Sequence, residues 1–226
     1  MKFLREMLQH IIEKLFGTLV ITVGDKQVDL GGEWPSVSFR DLILQYGNID
    51  INEYNTRETL LQKIYDEKIE IDCDTPLEDL GYGNLVDQLY KKVARPNVVN
   101  PIFLTEHPIS LSPLARANDD NPEITDRFQL IINGAEIINA YSELVDPQEQ
   151  ERRLEEQAAL KADGDEEAMP MDHEYISAME VGMPPISGWG MGIDRVVQLL
   201  TNADNIKDVV MFPLMRPINT DTKDSE

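Results

Sequence analysis

The feature that most constrains this sequence is the run Arg127 to Ile132, Asn133-Gly134, and Ala135 to Leu144. Two β-rich segments flank a dipeptide able to hold positive φ at both central positions of a two-residue turn, which predicts a long antiparallel hairpin. Such a turn also sets the register: Ile132 falls opposite Ala135 and Ile131 opposite Glu136, so Gln129 and Glu136 share a face. Alternation along the second strand likewise groups Asn139, Tyr141 and Glu143. By strict alternation the two sets point to opposite sides of the sheet. If both serve one pocket, a bulge must lie between Glu136 and Asn139.

An amide, a phenol and a carboxylate in a row suit a ligand ammonium, because a carboxylate withdrawn from water needs a cationic partner. A solvated polar face of an antiparallel sheet would show the same pattern. Glu136 and Gln129 could hold a magnesium ion bridging ATP phosphates, with Gln129 supplying an oxygen but no formal charge, which weakens the grip on a hard dication. A third cluster, Gly188-Trp189-Gly190-Met191-Gly192-Ile193-Asp194-Arg195, offers glycines that admit a ligand to the backbone and an arginine at a helix start, a place for phosphate or adenine. A packing strand with Arg195 in a structural salt bridge is the alternative. The third glycine of a dinucleotide fingerprint is missing, and no βαβ unit surrounds the cluster.

Elsewhere the pattern is of helices between antiparallel hairpins, an α+β arrangement. Phe3, Leu4, Met7, Leu8, Ile11, Ile12, Leu15 and Phe16 form one stripe of a core-packing helix that stops at Gly17. Strands are predicted at Thr18 to Val23 and Gln27 to Leu30, and helix starts at Ser38 and at Asn55. Leu85 to Val93 predicts a helix closed by Arg95-Pro96, and Pro101 to Glu106 a strand. Asp146-Pro147-Gln148-Glu149 predicts a capped helix to about Ala162, and His173 to Val181 a shorter one.

The 42 acidic against 20 basic residues give a formal net charge of −22, which repels nucleic acid over most of the surface. Acidic runs such as Asp163 to Glu167 and Asp221 to Glu226 read as solvated. Cys73 has no partner for a disulfide and no ligand-spaced neighbours. His10, His107 and His173 read as structural or surface residues, and no serine or cysteine has the surroundings of a nucleophile. No stretch approaches the roughly 18 apolar residues of a membrane span, and the start lacks a signal-peptide pattern, so a cytoplasmic location is expected.

Several ordered segments closely resemble class II lysyl-tRNA synthetases: Ser112-Pro113-Leu114-Ala115-Arg116, Asn121 to Phe128, Asn139-Ala140-Tyr141-Ser142-Glu143-Leu144, Gly164 to Met169, Glu180 to Pro185, and Gly188 to Arg195, which is similar to the third class II signature. The resemblance implies a partial class II catalytic domain over residues 1–217, with an antiparallel sheet flanked by helices; the terminal residues 218–226 themselves read as a disordered acidic tail. It further implies that Asn139, Tyr141, Glu143 and Gly188 hold lysine, with Glu143 facing its side-chain ammonium. Glu136 and Gln129 would serve ATP and Mg2+, Gly190 and Gly192 would underlie the nucleotide, and Arg195 would be the catalytic clamp on the γ-phosphate. The implied reaction forms lysyl-adenylate and then charges tRNA-Lys, by alignment and charge stabilisation.

The anticodon-binding barrel, the first signature with its homodimer interface, and the second signature with its α-phosphate arginine have no counterpart among these residues. Gln129 stands where the family has glutamate. The expectation is a lysine–tRNA ligase represented by a truncated chain that forms no adenylate alone. A non-catalytic lysine- or adenylate-binding module is the alternative. A paralogous ligase joining a lysine-like amino acid to a protein is a third reading, weakened because such relatives keep the second signature.

Overall fold

The computed structural model describes residues 1–214, so the expected tail from residue 218 lies outside the described residues. At its centre is the predicted hairpin. β5 (Arg127–Ile132) and β6 (Ala135–Ser142) pair across a turn with φ of 46° at Asn133 and 71° at Gly134. β4 (Ile102–Thr105) and β3 (Ser36–Ser38) continue the sheet on one side and β7 (Ser187–Met191) on the other, in the order β3-β4-β5-β6-β7. All neighbours are antiparallel except β3 and β4, which run parallel. That pair is joined by a long helical excursion, the kind of crossover a parallel pair requires. β1 (Val20–Val23) and β2 (Lys26–Asp29) form a separate two-stranded hairpin.

The sheet separates two apolar cores. On one face, Leu130, Ile132 and Ile138 pack with α1 (Lys2–Phe16), with Val28 of β2 and with Leu199 of α7 (Ile193–Thr201). On the other, Leu104 and Ile131 pack with α2 (Phe39–Gly47), α3 (Arg57–Asp66) and α4 (Tyr82–Val93). α5 (Pro147–Ala162) and α6 (His173–Glu180) make a smaller cluster through Leu154, Ile176 and Met179. The helices cover the second face only in part, and the polar row of the hairpin lies in the remainder.

Ser38 accepts from the Asp41 N–H at 3.0 Å, and Asp146 accepts from the N–H groups of Gln148 and Glu149, so both predicted caps form. α3 starts one residue later than expected. Thr56, not Asn55, is its cap, because Thr56 and Thr59 satisfy each other's backbone N–H groups reciprocally. The α1 stripe is only half buried: Leu4, Leu8 and Ile12 face the core, whereas Phe3 and Leu15 are 66% and 65% exposed. A stripe of that width exceeds the surface beneath it, and only the i, i+4 row reaches the sheet.

Two further expectations are corrected. β6 leaves the ladder after Ser142, since Leu144 donates instead to the Leu114 carbonyl at 3.0 Å. The acidic run at Asp163 to Glu167 is not wholly solvated. Asp165 is fully buried and accepts from the Gly81 N–H at 2.7 Å and from Asn84 Nδ2. It thereby caps α4 from a distant part of the chain, a service Gly81 cannot perform for itself.

Candidate functional site

The bulge that a shared pocket would require is present. Ile131 pairs with Glu136 and Leu130 with Ile138, leaving Ile137 as the extra residue of β6. Ile137 and Ile138 both belong to the core under α1, so two consecutive side chains are drawn to one face by burial. The next residue, Asn139, returns to the face of Glu136. Cross-strand partners share a face, and the register pairs Gln129 with Asn139 and Arg127 with Tyr141. Arg127, Gln129, Glu136, Asn139 and Tyr141 therefore form one polar row.

Two side chains, one half-buried and one fully buried, organise this row. Arg127 donates to Asn139 Oδ1 at 3.0 Å, to Ser112 Oγ at 2.9 Å and to the Leu111 carbonyl at 3.2 Å. Burial pulls its pKa down, while Glu136, Asp87 and Tyr141 pull it up. With its oxygen held by Arg127, the Asn139 amide has its orientation set. His107 is fully buried, and its Nε2 lies 3.1 Å from Gln129 Oε1. Burial, assisted by the Arg127 charge, lowers its pKa to about 3, so the imidazole is neutral. The other end of the amide, Gln129 Nε2, donates to Glu136 Oε2 at 2.6 Å.

Gln129 and Glu136 as placed do not fit a magnesium ion. The amide oxygen of Gln129 is turned to His107, and the amide N–H toward Glu136 occupies the direction a cation would take. Among the described residues no group of three or more His, Cys, Asp or Glu side chains is arranged to hold a metal. One carboxylate could serve magnesium only together with waters and substrate phosphates, not as a site the protein forms by itself.

Glu143 follows the end of β6, where its N–H donates to the Ile186 carbonyl at 3.0 Å. Its carboxylate lines a hollow of about 400 Å³ with Arg116, Ser142, Val145 and Ile186. Arg116 is engaged by Asp119 and Asp126, and among the described residues no cation pairs with Glu143. Burial pushes the Glu143 carboxyl above its ordinary range. The Tyr141 and Tyr175 phenols are raised by burial first and by the Glu143 charge second, which places Tyr175 of α6 beside the same end of the row.

β7 supplies the bare side of this surface. Gly188 pairs with Tyr141 and Gly190 with Asn139, so hydrogens stand where side chains would crowd the row. A Cβ on Gly188 would come within 3.5 Å of Glu143 Oε1, and the space above Gly190 is open. Trp189, opposite Ala140, projects to the other face beside Phe3. Gly192 begins α7, and Arg195 reaches back to donate to the Glu136 carbonyl at 2.9 Å. Arg195 thus stands at the Glu136 end of β6 and Glu143 past its other end. Smaller hollows of about 180 and 150 Å³ lie between, with Arg127 lining both.

The hairpin brings together Gln129, Glu136, Asn139, Tyr141 and Glu143, with Gly188, Gly190 and Arg195 alongside. Arg127, His107, Ser112 and Tyr175 were not singled out as site residues from sequence. For Arg127 a signal existed, since it shares the strand parity of Gln129. His107, Ser112 and Tyr175 reach the site through loop and helix placement that no local pattern carries.

A family model described as tRNA synthetases class II (D, K and N) matches residues 1–216. The chain is 43% identical over 219 residues to a lysine–tRNA ligase of Thermosipho africanus, covering 97% of this chain and 42% of that relative. It is 39% identical over 226 residues to one of Porphyromonas gingivalis, covering 100% of this chain and 38% of that protein. A lysine–tRNA ligase of Enterobacter sp. is 39% identical over 216 residues, covering 94% of this chain and 41% of the relative. The chain therefore spans about 40% of the length of the curated relatives it matches.

Proposed function

We propose, from the premise that this chain belongs to the class II tRNA synthetases (D, K and N), that it carries the lysine pocket and part of the ATP site of a lysine–tRNA ligase. One observation carries the reading: Glu143 is a partly buried carboxylate with no cationic partner among the described residues, at the end of a row that a bulge has brought onto one face. A lysine ammonium would supply the missing charge. Tyr141 and Asn139 would orient the rest of the amino acid, the latter with the amide N–H2 left free by Arg127. The open strand at Gly188 and Gly190 would admit substrates to the sheet, and Arg195 would meet the terminal phosphate of ATP.

In this reading the lysine carboxylate oxygen attacks the α-phosphorus of ATP. An O–P bond forms to give lysyl-adenylate as the bond to pyrophosphate breaks; a hydroxyl at the tRNA-Lys 3′ end then attacks the lysyl carbonyl, forming an ester as AMP leaves. The chain's own residues bind and align; none forms a covalent intermediate. Arg195 would stabilise charge developing on the phosphates, a role that benefits from a water-poor site. ATP, tRNA-Lys, a cytoplasmic setting, a homodimer of the complete enzyme and the assignment of residues 1–217 to one catalytic-domain segment all belong to this proposal. So does the fate of the chain by itself. The resemblance places the α-phosphate arginine on a segment not represented in these 226 residues, so the chain alone is expected to form no adenylate at a useful rate.

Lysine-dependent ATP–pyrophosphate exchange tests the catalytic part, with exchange at background the expected result and robust turnover the contrary one. Calorimetry with lysine tests the pocket separately. Lysine binding that survives Glu143→Gln unchanged would remove the basis of the reading.

A further inference from the structure

We infer that Glu136 is held by an amide and imidazole relay where a pair of carboxylates would hold a divalent cation, and that His107 is the positioning residue setting which end of the Gln129 amide faces Glu136. The inference concerns the same sheet face as the proposed lysine activation but does not require it, because its readout is cation binding to the protein alone.

Three observations support it. First, the amide is clamped at both ends, with Gln129 Nε2 2.6 Å from Glu136 Oε2 and Gln129 Oε1 3.1 Å from His107 Nε2. Second, the arrangement is chemically directional. An ionised carboxylate only accepts, so the N–H2 must face Glu136 and the amide oxygen must face a proton on the imidazole. Turning the amide over would set its oxygen against the carboxylate and leave the buried imidazole donor unpaired. Gln129 and His107 are 7% and 0% exposed, which leaves no access for water to compensate at the imidazole. Third, the hollow beside Glu136 carries more positive than negative side chains of the chain's own, three against two. Asp87 and Glu136 line it together with Lys91, Arg95 and Arg127, and Asp87 is already paired with Lys91 at 2.6 Å. A dication entering there would meet two guanidinium groups and a single carboxylate outside an ion pair, which already accepts from the Gln129 amide.

The test is a Mn2+ titration of the full chain followed by electron paramagnetic resonance, comparing the unmodified protein with Glu136→Gln. With 42 acidic residues the chain will bind Mn2+ diffusely, so the informative quantity is the part that Glu136→Gln removes. The expected result is that nothing is removed. Gln129→Glu should then create a site at least about tenfold tighter than the diffuse background, lost again when Glu136→Gln is added. His107→Ala, which frees the amide to offer its oxygen, should raise Mn2+ affinity; a histidine with a purely structural role would change thermal stability and leave Mn2+ binding where it was. A Mn2+ site in the unmodified chain that Glu136→Gln abolishes overturns the inference, as does His107→Ala with unaltered Mn2+ binding. The first comparison introduces no new buried charge and stands even if the other variants fold poorly. Neither result depends on exchange activity, so a failure here is distinguishable from a failure of the lysine reading.

Discussion

Glu136 and Glu143 lie along one stretch of chain, on or just beyond β6, yet they are treated in opposite ways. Around Glu136 the protein has answered its own needs: the carboxylate accepts from Gln129, the carbonyl accepts from Arg195, and Arg127 and His107 brace the neighbouring amides. Glu143 has Gly188 at its side, two phenols nearby and no ion pair among the described residues, since Arg116 in the same hollow is held by Asp119 and Asp126. Desolvation without compensation destabilises an ionised carboxylate, which is why the Glu143 pKa rises. The contrast separates a region built for rigidity from one left incomplete, and an incomplete charge in a hollow is what a ligand of opposite charge completes.

The strongest challenge to this contrast is Arg127→Ala. It would strip the half-buried bonds to Asn139, Ser112 and Leu111 and leave their polar atoms unpaired, so a stability loss of about 2 kcal/mol is expected in urea unfolding. A loss near zero would mean the Glu136 end is not the rigid one. Of similar size, Glu143→Gln should weaken lysine binding by about 30- to 100-fold in calorimetry, the effect of removing one member of a partly buried ion pair. Glu136→Gln should change lysine affinity far less, and equal effects would erase the distinction between the two acids.

Acidity sharpens the same comparison. Because folding raises the Glu143 pKa, the folded state holds its proton more tightly than the unfolded state, and ionised Glu143 costs stability above that raised pKa. Glu143→Gln should therefore melt at a higher temperature than the unmodified chain at pH 7. The gap should close as pH falls below the ordinary carboxylate range, where both residues are neutral. Lysine affinity should fall on acidification, beginning at a higher pH than an ordinary glutamate would give. The smallest effect expected is that of Gly134→Ala, at about 1 kcal/mol by chemical denaturation, because φ is +71° there. That turn sets where the bulge falls, so the variant should also loosen Gln129 relative to Glu136.

Much of this site was legible because its grammar is local. Asn133-Gly134 names the turn, the turn names the register, and the register makes a bulge between Glu136 and Asn139 the condition for one shared face; burial of Ile137 and Ile138 in one core met that condition. The parallel pairing of β3 with β4 was not legible, because no short-range signal specifies which distant strand an edge strand joins. Asn55 and Thr56 show the limit at a helix end: both are good caps, and the choice fell to Thr59, which reciprocates only with Thr56.

By itself, the sequence determined the hairpin, its turn, most helix boundaries and the polar residues of the row, since each follows from backbone stereochemistry and spacing over a few residues; the bulge was only a condition for a shared pocket until the structure supplied it. Tertiary structure alone decided that Asp165 would be buried as a cap for α4, that half of the α1 stripe would stay exposed, and that His107 would turn the Gln129 amide toward Glu136. The physical reason is the same in each case. Burial and hydrogen-bond satisfaction depend on which surfaces meet, and segments separated by many residues meet only when the whole sheet and its helices have packed.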